Sequence, residues 1–145
     1  LVALCSQLRD TADVIICVAT DLEPSFERAI DQALQWAKAH DATVVLLHVV
    51  HDPELAPALA NDVPGDLNKA RTVLQEIAAR ATVPCRVDVR AADNVATEII
   101  KASKDAAYIF VGSQGKSAFD RLRLGSVAAK IIRNSHTPVV CFPHT

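Results

Sequence analysis

The chain has 145 residues, the length of a single globular domain, and half of them are hydrophobic while 22% are charged. This composition supports a packed core and excludes an intrinsically disordered chain. Fifteen basic and seventeen acidic side chains give a formal net charge of −2 without a long basic run, so nucleic acid is not an expected partner. No apolar run approaches the roughly 20 residues that span a bilayer, so a membrane is not expected either.

The beginning of the chain and its cysteines bear on domain organisation and compartment. No basic region precedes the apolar residues at the start and no cleavage-like site follows them, which argues against a signal peptide. We expect residues 1–12 to be an N-terminal extension and residues 13–145 to form one domain. The cysteines, which form no CxxC pair, are Cys5, Cys17, Cys85 and Cys141. This spacing is typical of a reduced, cytoplasmic protein rather than a zinc site or a disulfide scaffold.

Short apolar runs alternate along the chain with segments whose apolar residues recur at helical spacing. The runs predict five strands, at residues 14–19, 43–50, 84–90, 107–111 and 138–142. The amphipathic segments predict four helices between them, with apolar faces around residues 26–37, 70–78, 95–102 and 127–132. Asp93 or Asn94 is the expected cap of the third helix. The third strand alternates apolar with charged residues, which favours an edge position.

Strict alternation of strands and helices predicts an α/β fold, with a five-stranded parallel sheet and helices on both faces. Ligands of such sheets bind beyond the carboxyl ends of the strands, where the winding reverses. The segments that leave the first and fourth strands, residues 20–25 and 112–126, are therefore the best candidates for the walls of a shared site.

Three of the four glycines, Gly112, Gly115 and Gly125, fall within fourteen residues between the fourth strand and the fourth helix. Backbone N–H groups at a helix start attract anions, and glycines let a loop turn its own N–H groups toward the same anion. Ser126 is positioned to cap the helix or to offer its hydroxyl to a ligand. Lys116 and two arginines add positive charge. Together these features favour a polyphosphate ligand over purely structural turns.

Two rival nucleotide motifs do not fit this loop. The Gly115-Lys116 pair followed by serine imitates the end of a P-loop, but Phe110 stands where that motif requires its first glycine. A P-loop helix also starts at once, whereas here nine residues separate Gly115 from Gly125. The dinucleotide pattern GxGxxG is absent as well. The spacing that the chain does have is G-x2-G-x9-G-S.

With this glycine spacing, the chain resembles the universal stress protein family over about residues 14–142. Further points of resemblance are Asp21 at the end of the first strand, His48-Val49-Val50 at the end of the second, and residues 137–140 near the carboxyl terminus. The resemblance implies a Rossmann-like, adenine-nucleotide α-hydrolase-like fold with strand order 3-2-1-4-5. It also implies ATP binding, because family members with the complete glycine pattern bind ATP.

The resemblance further implies roles for individual residues. Asp21 would touch the ribose or the adenine edge, and the backbone of Val49 would bind adenine. The residues expected at the ribose and phosphates are Gly112, Gly115, Gly125, Ser126 and Val127. Lys116 is a candidate from its charge alone, and a solvated loop lysine is an equally good interpretation. A magnesium or manganese ion would bridge the phosphate oxygens, since magnesium uses few protein ligands.

One departure from the family pattern keeps alternatives open. Glu23 stands where the family often has a small or hydroxylic residue, and a carboxylate there would repel a triphosphate. A family member that holds no ATP and works through protein contacts is therefore one alternative to an ATP-binding regulatory module of the stress response. A true adenine-nucleotide hydrolase or adenylating enzyme is the other, although the chain lacks an SGGxDS-like loop after the first strand. No nucleophile–base pair is evident, so at most slow ATP hydrolysis is expected, and no catalytic residue is assigned.

The fifth strand is an edge strand in the implied order, and its apolar residues carry no protective charge. We expect a two-fold dimer, which the resemblance also implies, through Val139, Val140, Cys141 and Phe142. His48 is interpreted as a hydrogen-bonded buried histidine rather than a base. His51 and Asp52 are candidates for the rim of the pocket, although their polarity is also normal for a loop.

Overall fold

The computed structural model describes residues 14–22, 26–52, 65–112 and 125–142. Strands and helices alternate through them as the apolar periodicity predicts, with boundaries that differ from the predicted ones by a few residues. In chain order they are β1 (Ile15–Ala19), α1 (Glu27–His40), β2 (Thr43–His51), α2 (Gly65–Arg80), β3 (Cys85–Ala92), α3 (Val95–Ala102), β4 (Tyr108–Gly112), α4 (Ser126–Asn134) and β5 (Val139–Phe142).

The five strands form one parallel sheet in the order β3-β2-β1-β4-β5, which confirms the predicted fold class and strand order. The predicted edge position of the third strand is also confirmed. Strand β1 lies in the middle, and the chain winds first toward β3 and then back past β1 toward β5. The winding therefore reverses between β1 and β4, which opens a crevice at their carboxyl ends.

The sheet is covered by helices on both faces, and β1 contributes to both cores. Its even-numbered residues Ile16 and Val18 pack in a cluster with α1 and α2. Its odd-numbered residues Cys17 and Ala19 pack in a second cluster with α3 and α4. A strand buried on both faces needs a continuous apolar run, which explains why this segment does not alternate with polar residues.

Local interactions place α3 beside the end of β3. Asn94 is the N-cap of α3, and its side-chain oxygen accepts the Thr97 N–H at 3.1 Å, so the Asn94 alternative is confirmed. The Arg90 guanidinium on β3 binds both carboxylate oxygens of Asp88 and reaches Glu98 on α3 at 2.9 Å. The bidentate bonds to Asp88 within β3 fix the orientation of the guanidinium, and its single charge-assisted bond to Glu98 ties the helix to the strand.

The buried cysteine of β1 is a core residue. Cys17 is 2% exposed, and burial raises the pKa of its thiol to about 11, which leaves it protonated and unreactive near neutral pH. Cys17 thus acts as a small buried hydrophobe, whereas Cys141 in β5 is only half-buried. Within the residues described, no helix combines the length and apolar character needed to cross a bilayer.

Candidate functional site

A cavity lies at the carboxyl ends of the central strands, where the winding of the sheet reverses. Its floor is formed by strand ends, namely Ala19, Thr20, Asp21, Val49, Val111 and Gly112. The starts of α3 and α4 and the residue before α1 complete the walls. The position follows from topology, because β1 is followed by α1 on one face of the sheet and β4 by α4 on the other face, which leaves a space between the two strand ends.

Five of the residues that the resemblance assigns to nucleotide binding line this one cavity. They are Asp21, Val49, Gly112, Gly125 and Val127, which come from four separate segments of the chain. Ser126 is exposed at the first position of α4, between the lining residues Gly125 and Val127. The remaining candidates Gly115 and Lys116, and the departure at Glu23, lie outside the described residues.

The start of α4 offers backbone N–H groups to the cavity. Gly125 is the N-cap and accepts the first intrahelical bond, from the Ala129 N–H at 2.9 Å. The three N–H groups before Ala129 have no acceptor within the helix, and the cap residue has no side chain to supply one. The interpretation of Ser126 as the cap is therefore wrong, because Gly125 occupies that position. With the positive end of the helix dipole, these groups suit an anion.

The backbone of Gly125 is extended, with φ −60° and ψ 156°, a conformation open to any residue. What glycine supplies here is the lack of a side chain over the helix start, rather than a left-handed turn. Gly125, which the glycine spacing pointed to, therefore lies at the wall of the cavity as the N-cap of α4.

Gly112 packs closely against an aromatic ring at the end of β4. A Cβ atom on Gly112 would lie 3.3 Å from both Cδ1 and Cε1 of the Phe26 ring, which is tighter than an ordinary contact. Phe26 is 7% exposed and lines the cavity beside this glycine. The absence of a side chain at Gly112 therefore lets the aromatic ring close one wall of the site.

A tight turn at the end of β1 presents Asp21 to the cavity. The Thr20 N–H donates to the Leu47 carbonyl at 2.9 Å, and Thr20 Oγ1 accepts the Leu22 N–H at 3.0 Å. Leu22 has φ 67°, a left-handed conformation that costs a non-glycine residue about 1–2 kcal/mol. Strained backbone of this kind persists where the surrounding bonds hold it, and it concentrates at functional sites.

His48 on β2 supports the same turn. Its Nδ1 lies 2.7 Å from the Thr20 carbonyl oxygen. A carbonyl oxygen only accepts hydrogen bonds, so Nδ1 is the donor and carries the proton. The prediction of a hydrogen-bonded histidine is confirmed, although the side chain is only partly buried. Thr20 was not singled out from the sequence, although a hydroxyl residue directly after a buried strand is a turn signal.

The apolar wall of the cavity comes from residues that sequence patterns assign only to helix cores. Val95 and Ile99 project from α3, and Ala128 and Ile131 project from α4. Each of them recurs at the spacing of a helical residue that faces the protein interior. That spacing does not show whether the residue packs against the sheet or lines a cavity at the end of the sheet. The wall suits a flat, apolar ligand group such as an aromatic base.

The predicted rim residues His51 and Asp52 do not line the cavity. The imidazole Nε2 of His51 lies 4.0 Å from a carboxylate oxygen of Asp93, and both side chains are largely exposed. Exposed pairs at this distance contribute little to stability. His51 is the last residue of β2, and Asp52 follows it outside the cavity lining.

Comparisons with known proteins identify the same family along nearly the whole chain. The model of the universal stress protein family matches residues 15–143. A universal stress protein of Mycolicibacterium smegmatis is 27% identical over 138 residues, which cover 86% of this chain and 46% of that protein. One from Methanocaldococcus jannaschii is 28% identical over 137 residues, covering 86% of this chain and 79% of that protein. The chain thus spans less than half of the mycobacterial relative.

Solved structures of universal stress proteins share the fold. One from Archaeoglobus fulgidus has a TM-score of 0.71 at 21% identity, with 93% of this chain and 97% of that chain covered. An Archaeoglobus fulgidus protein in complex with dAMP has a TM-score of 0.67 at 21% identity, covering 88% and 96% of the two chains. A universal stress protein in complex with cAMP has a TM-score of 0.69 at 23% identity, covering 93% and 100%.

The packing of Phe26 against Gly112 predicts a measurable coupling. Gly112→Ala should lower the free energy of unfolding by about 1 kcal/mol, because overpacking outweighs the entropy gained in the unfolded chain. In a Phe26→Leu background the same substitution should be close to neutral, because the crowded ring carbons are gone. Urea unfolding of the four proteins measures this double-mutant cycle. Equal costs in both backgrounds would show that the ring does not constrain this glycine.

Proposed function

The chain belongs to the universal stress protein family, and we propose that it binds ATP in the cavity at the carboxyl ends of β1 and β4. The observation that carries the proposal is the convergence of Asp21, Val49, Gly112, Gly125 and Val127 on one cavity at the point where the sheet reverses its winding. Residues so distant in sequence share a cavity only through the fold, and the fold puts them where α/β proteins bind ligands.

The two ends of the cavity match the two ends of a nucleotide. The apolar residues of α3 and α4 would pack on the base, and the backbone of Val49 would bind its polar edge. The uncapped start of α4 would bind phosphate oxygens through N–H groups, with Ser126 adding its hydroxyl. Gly115 and Lys116 are proposed as further phosphate contacts from the glycine spacing and the charge.

Two related structures support the choice of base. Universal stress proteins of the same fold were solved in complex with cAMP and with dAMP, and both ligands carry adenine. The triphosphate and the metal are proposals that rest on the glycine spacing. Among the residues that the structure describes, no three His, Cys, Asp or Glu side chains form a metal cluster. Magnesium or manganese would therefore bridge phosphate oxygens and keep water ligands, as magnesium commonly does.

The proposed role is that of a nucleotide-responsive regulatory module of the stress response, with at most slow hydrolysis of ATP. Efficient hydrolysis requires a positioned water and a charge clamp on the phosphates. Cys17, Cys85 and Cys141 are free thiols, which fits the reducing cytoplasm that we propose as its compartment.

Nucleotide binding and the phosphate end of the site are tested together with one substitution. The wild-type protein should bind ATP in equilibrium dialysis with magnesium. Gly125→Asp should weaken binding more than about tenfold, because a carboxylate at the N-cap takes the free N–H groups and repels the triphosphate. The same change should stabilise the unliganded protein by up to about 1 kcal/mol, because aspartate caps the helix and complements its dipole.

Gly125→Asn is the matched control, since asparagine caps the helix without the charge, and its loss of affinity should be smaller. If the wild type fails to bind ATP at millimolar concentration, the function as an ATP-binding module is wrong. That outcome would favour a family member that works through protein contacts. If Gly125→Asp binds like the wild type, the phosphates lie elsewhere. Turnover well above about 1 s⁻¹ would instead indicate a dedicated enzyme.

We also propose that two copies pair through β5, which is the free edge beyond β4. The Ile109 N–H donates to the Pro138 carbonyl at 2.9 Å, so even-numbered residues of β5 face β4. The N–H groups of Val139 and Cys141 then point away from the sheet. An apolar edge with unpaired N–H groups favours pairing with a second strand.

Light scattering at micromolar concentration should therefore give the mass of a dimer. Cys141→Pro should shift the protein toward the monomer, because it removes an outward N–H without breaking a bond to β4. Cys141→Val keeps that N–H and should remain dimeric, and circular dichroism should show that both variants are folded. A monomeric wild type would contradict the proposed dimer.

A further inference from the structure

We propose that His48 and Thr20 are positioning residues that keep the backbone N–H and C=O of Val49 unpaired, so that this single residue can select adenine over guanine. The inference rests on the proposed nucleotide function and names how the base would be recognised. It follows from the register of β1 and β2 and from two side-chain hydrogen bonds at the end of β1.

The register shows which way the backbone of Val49 points. In a parallel pair, alternate residues of a strand direct both N–H and C=O at the same neighbour. The Thr43 N–H donates to the Val14 carbonyl, and the Leu47 carbonyl accepts the Thr20 N–H. Odd-numbered residues of β2 therefore face β1. Val49 is the next odd-numbered residue, and it lies past the last paired residue of β1.

A regular ladder would give Val49 two partners from the chain that continues β1. Its N–H would donate to the Thr20 carbonyl, and its C=O would accept the Leu22 N–H. Neither bond exists among the residues that the structure describes. The Thr20 carbonyl instead accepts the His48 Nδ1–H at 2.7 Å, and the Leu22 N–H donates to Thr20 Oγ1 at 3.0 Å.

These two hydrogen bonds satisfy the groups that would otherwise pair with Val49. The His48 Nδ1–H binds the Thr20 carbonyl and Thr20 Oγ1 binds the Leu22 N–H, so neither group needs Val49 as a partner. Thr20 is 6% exposed, and its N–H, carbonyl and hydroxyl are all bonded, as buried polar groups require. Leu22, the donor of this short-range bond, is the residue with the left-handed φ of 67°.

Within the described residues, Val49 is left with one donor and one acceptor side by side at the wall of the cavity. The Watson–Crick edge of adenine has the complementary pair, with N1 as acceptor and the N6 amino group as donor. Guanine has the reverse order, N1–H as donor and O6 as acceptor, so it would set donor against donor and acceptor against acceptor. Sites built to hydrogen-bond a ligand reject a mismatched one strongly, because their polar groups stay unpaired.

The test compares substitutions that remove each diverting group with substitutions that keep it. His48→Leu removes the donor to the Thr20 carbonyl, and His48→Asn restores an N–H at nearly the same position as Nδ1. Thr20→Val removes the hydroxyl while keeping the shape, and Thr20→Ser restores it. The measurements are the dissociation constants of ATP and GTP with magnesium and the exchange rate of the Val49 amide hydrogen in the unliganded protein.

In the wild type, the Val49 amide should exchange much faster than those of Val45 and Leu47, which face β1 in the same strand. In His48→Leu the freed Thr20 carbonyl should capture this N–H and slow its exchange at least tenfold. ATP affinity should fall about tenfold, the effect of one lost hydrogen bond, while GTP affinity changes less. Thr20→Val should reduce discrimination between ATP and GTP in the same direction. The asparagine and serine variants should recover wild-type discrimination.

Two outcomes would overturn the inference. One is a Val49 amide in the wild type that is protected as strongly as that of Leu47. The other is unchanged discrimination between ATP and GTP in both His48→Leu and Thr20→Val. If the wild type binds neither nucleotide, the proposed function fails instead, while the amide exchange still reports whether His48 holds the edge of β2 open.

Discussion

The central position of β1 is the constraint on which the rest of the molecule depends. Helices cover this strand on both faces, and it pairs with a parallel neighbour on each side. At the carboxyl end of β1, the chain therefore leaves the sheet from between β2 and β4. Thr20 at that exit is 6% exposed, so its polar groups need partners inside the protein, and its bonds to Leu47, Leu22 and His48 supply them.

Different residues supply the polar and the apolar parts of the candidate site. Gly112 beside the Phe26 ring and Gly125 at the start of α4 have no side chain, so a ligand could approach the backbone there. Apolar side chains from α3 and α4 supply the wall between these points. A ligand with a flat base and an anionic end would complement both, with the base on the apolar wall and the anion at the start of α4. The wall and the N–H groups come from helices that also hold the core, so the site is fixed by the packing of the fold.

The fold was predictable because buried parallel strands and amphipathic helices leave distinct patterns of apolar residues. Five of the thirteen described residues that line the cavity were candidates from the sequence: the glycine spacing pointed to Gly112 and Gly125, and the family resemblance added Asp21, Val49 and Val127. Of the two roles predicted for Ser126, that of helix cap is wrong: N-caps are usually polar, but here Gly125 without a side chain occupies the cap position. The roles of Thr20, Phe26 and Ile131 stayed hidden. These roles depend on contacts between segments that are distant in sequence and come together at the carboxyl end of the sheet. The periodicity of apolar residues within one segment does not reveal such contacts.

The binding of ATP at the end of the sheet is tested most directly by mapping backbone amide signals during a titration with magnesium and ATP. The amides of Val49, Gly112 and Val127 should shift together and saturate, because these residues surround the proposed base and phosphate positions. The amide of Leu74, in the middle of α2 and buried away from the site, should not move. No change at millimolar ATP, or shifts confined to residues outside the cavity, would contradict an adenine nucleotide site between β1 and β4.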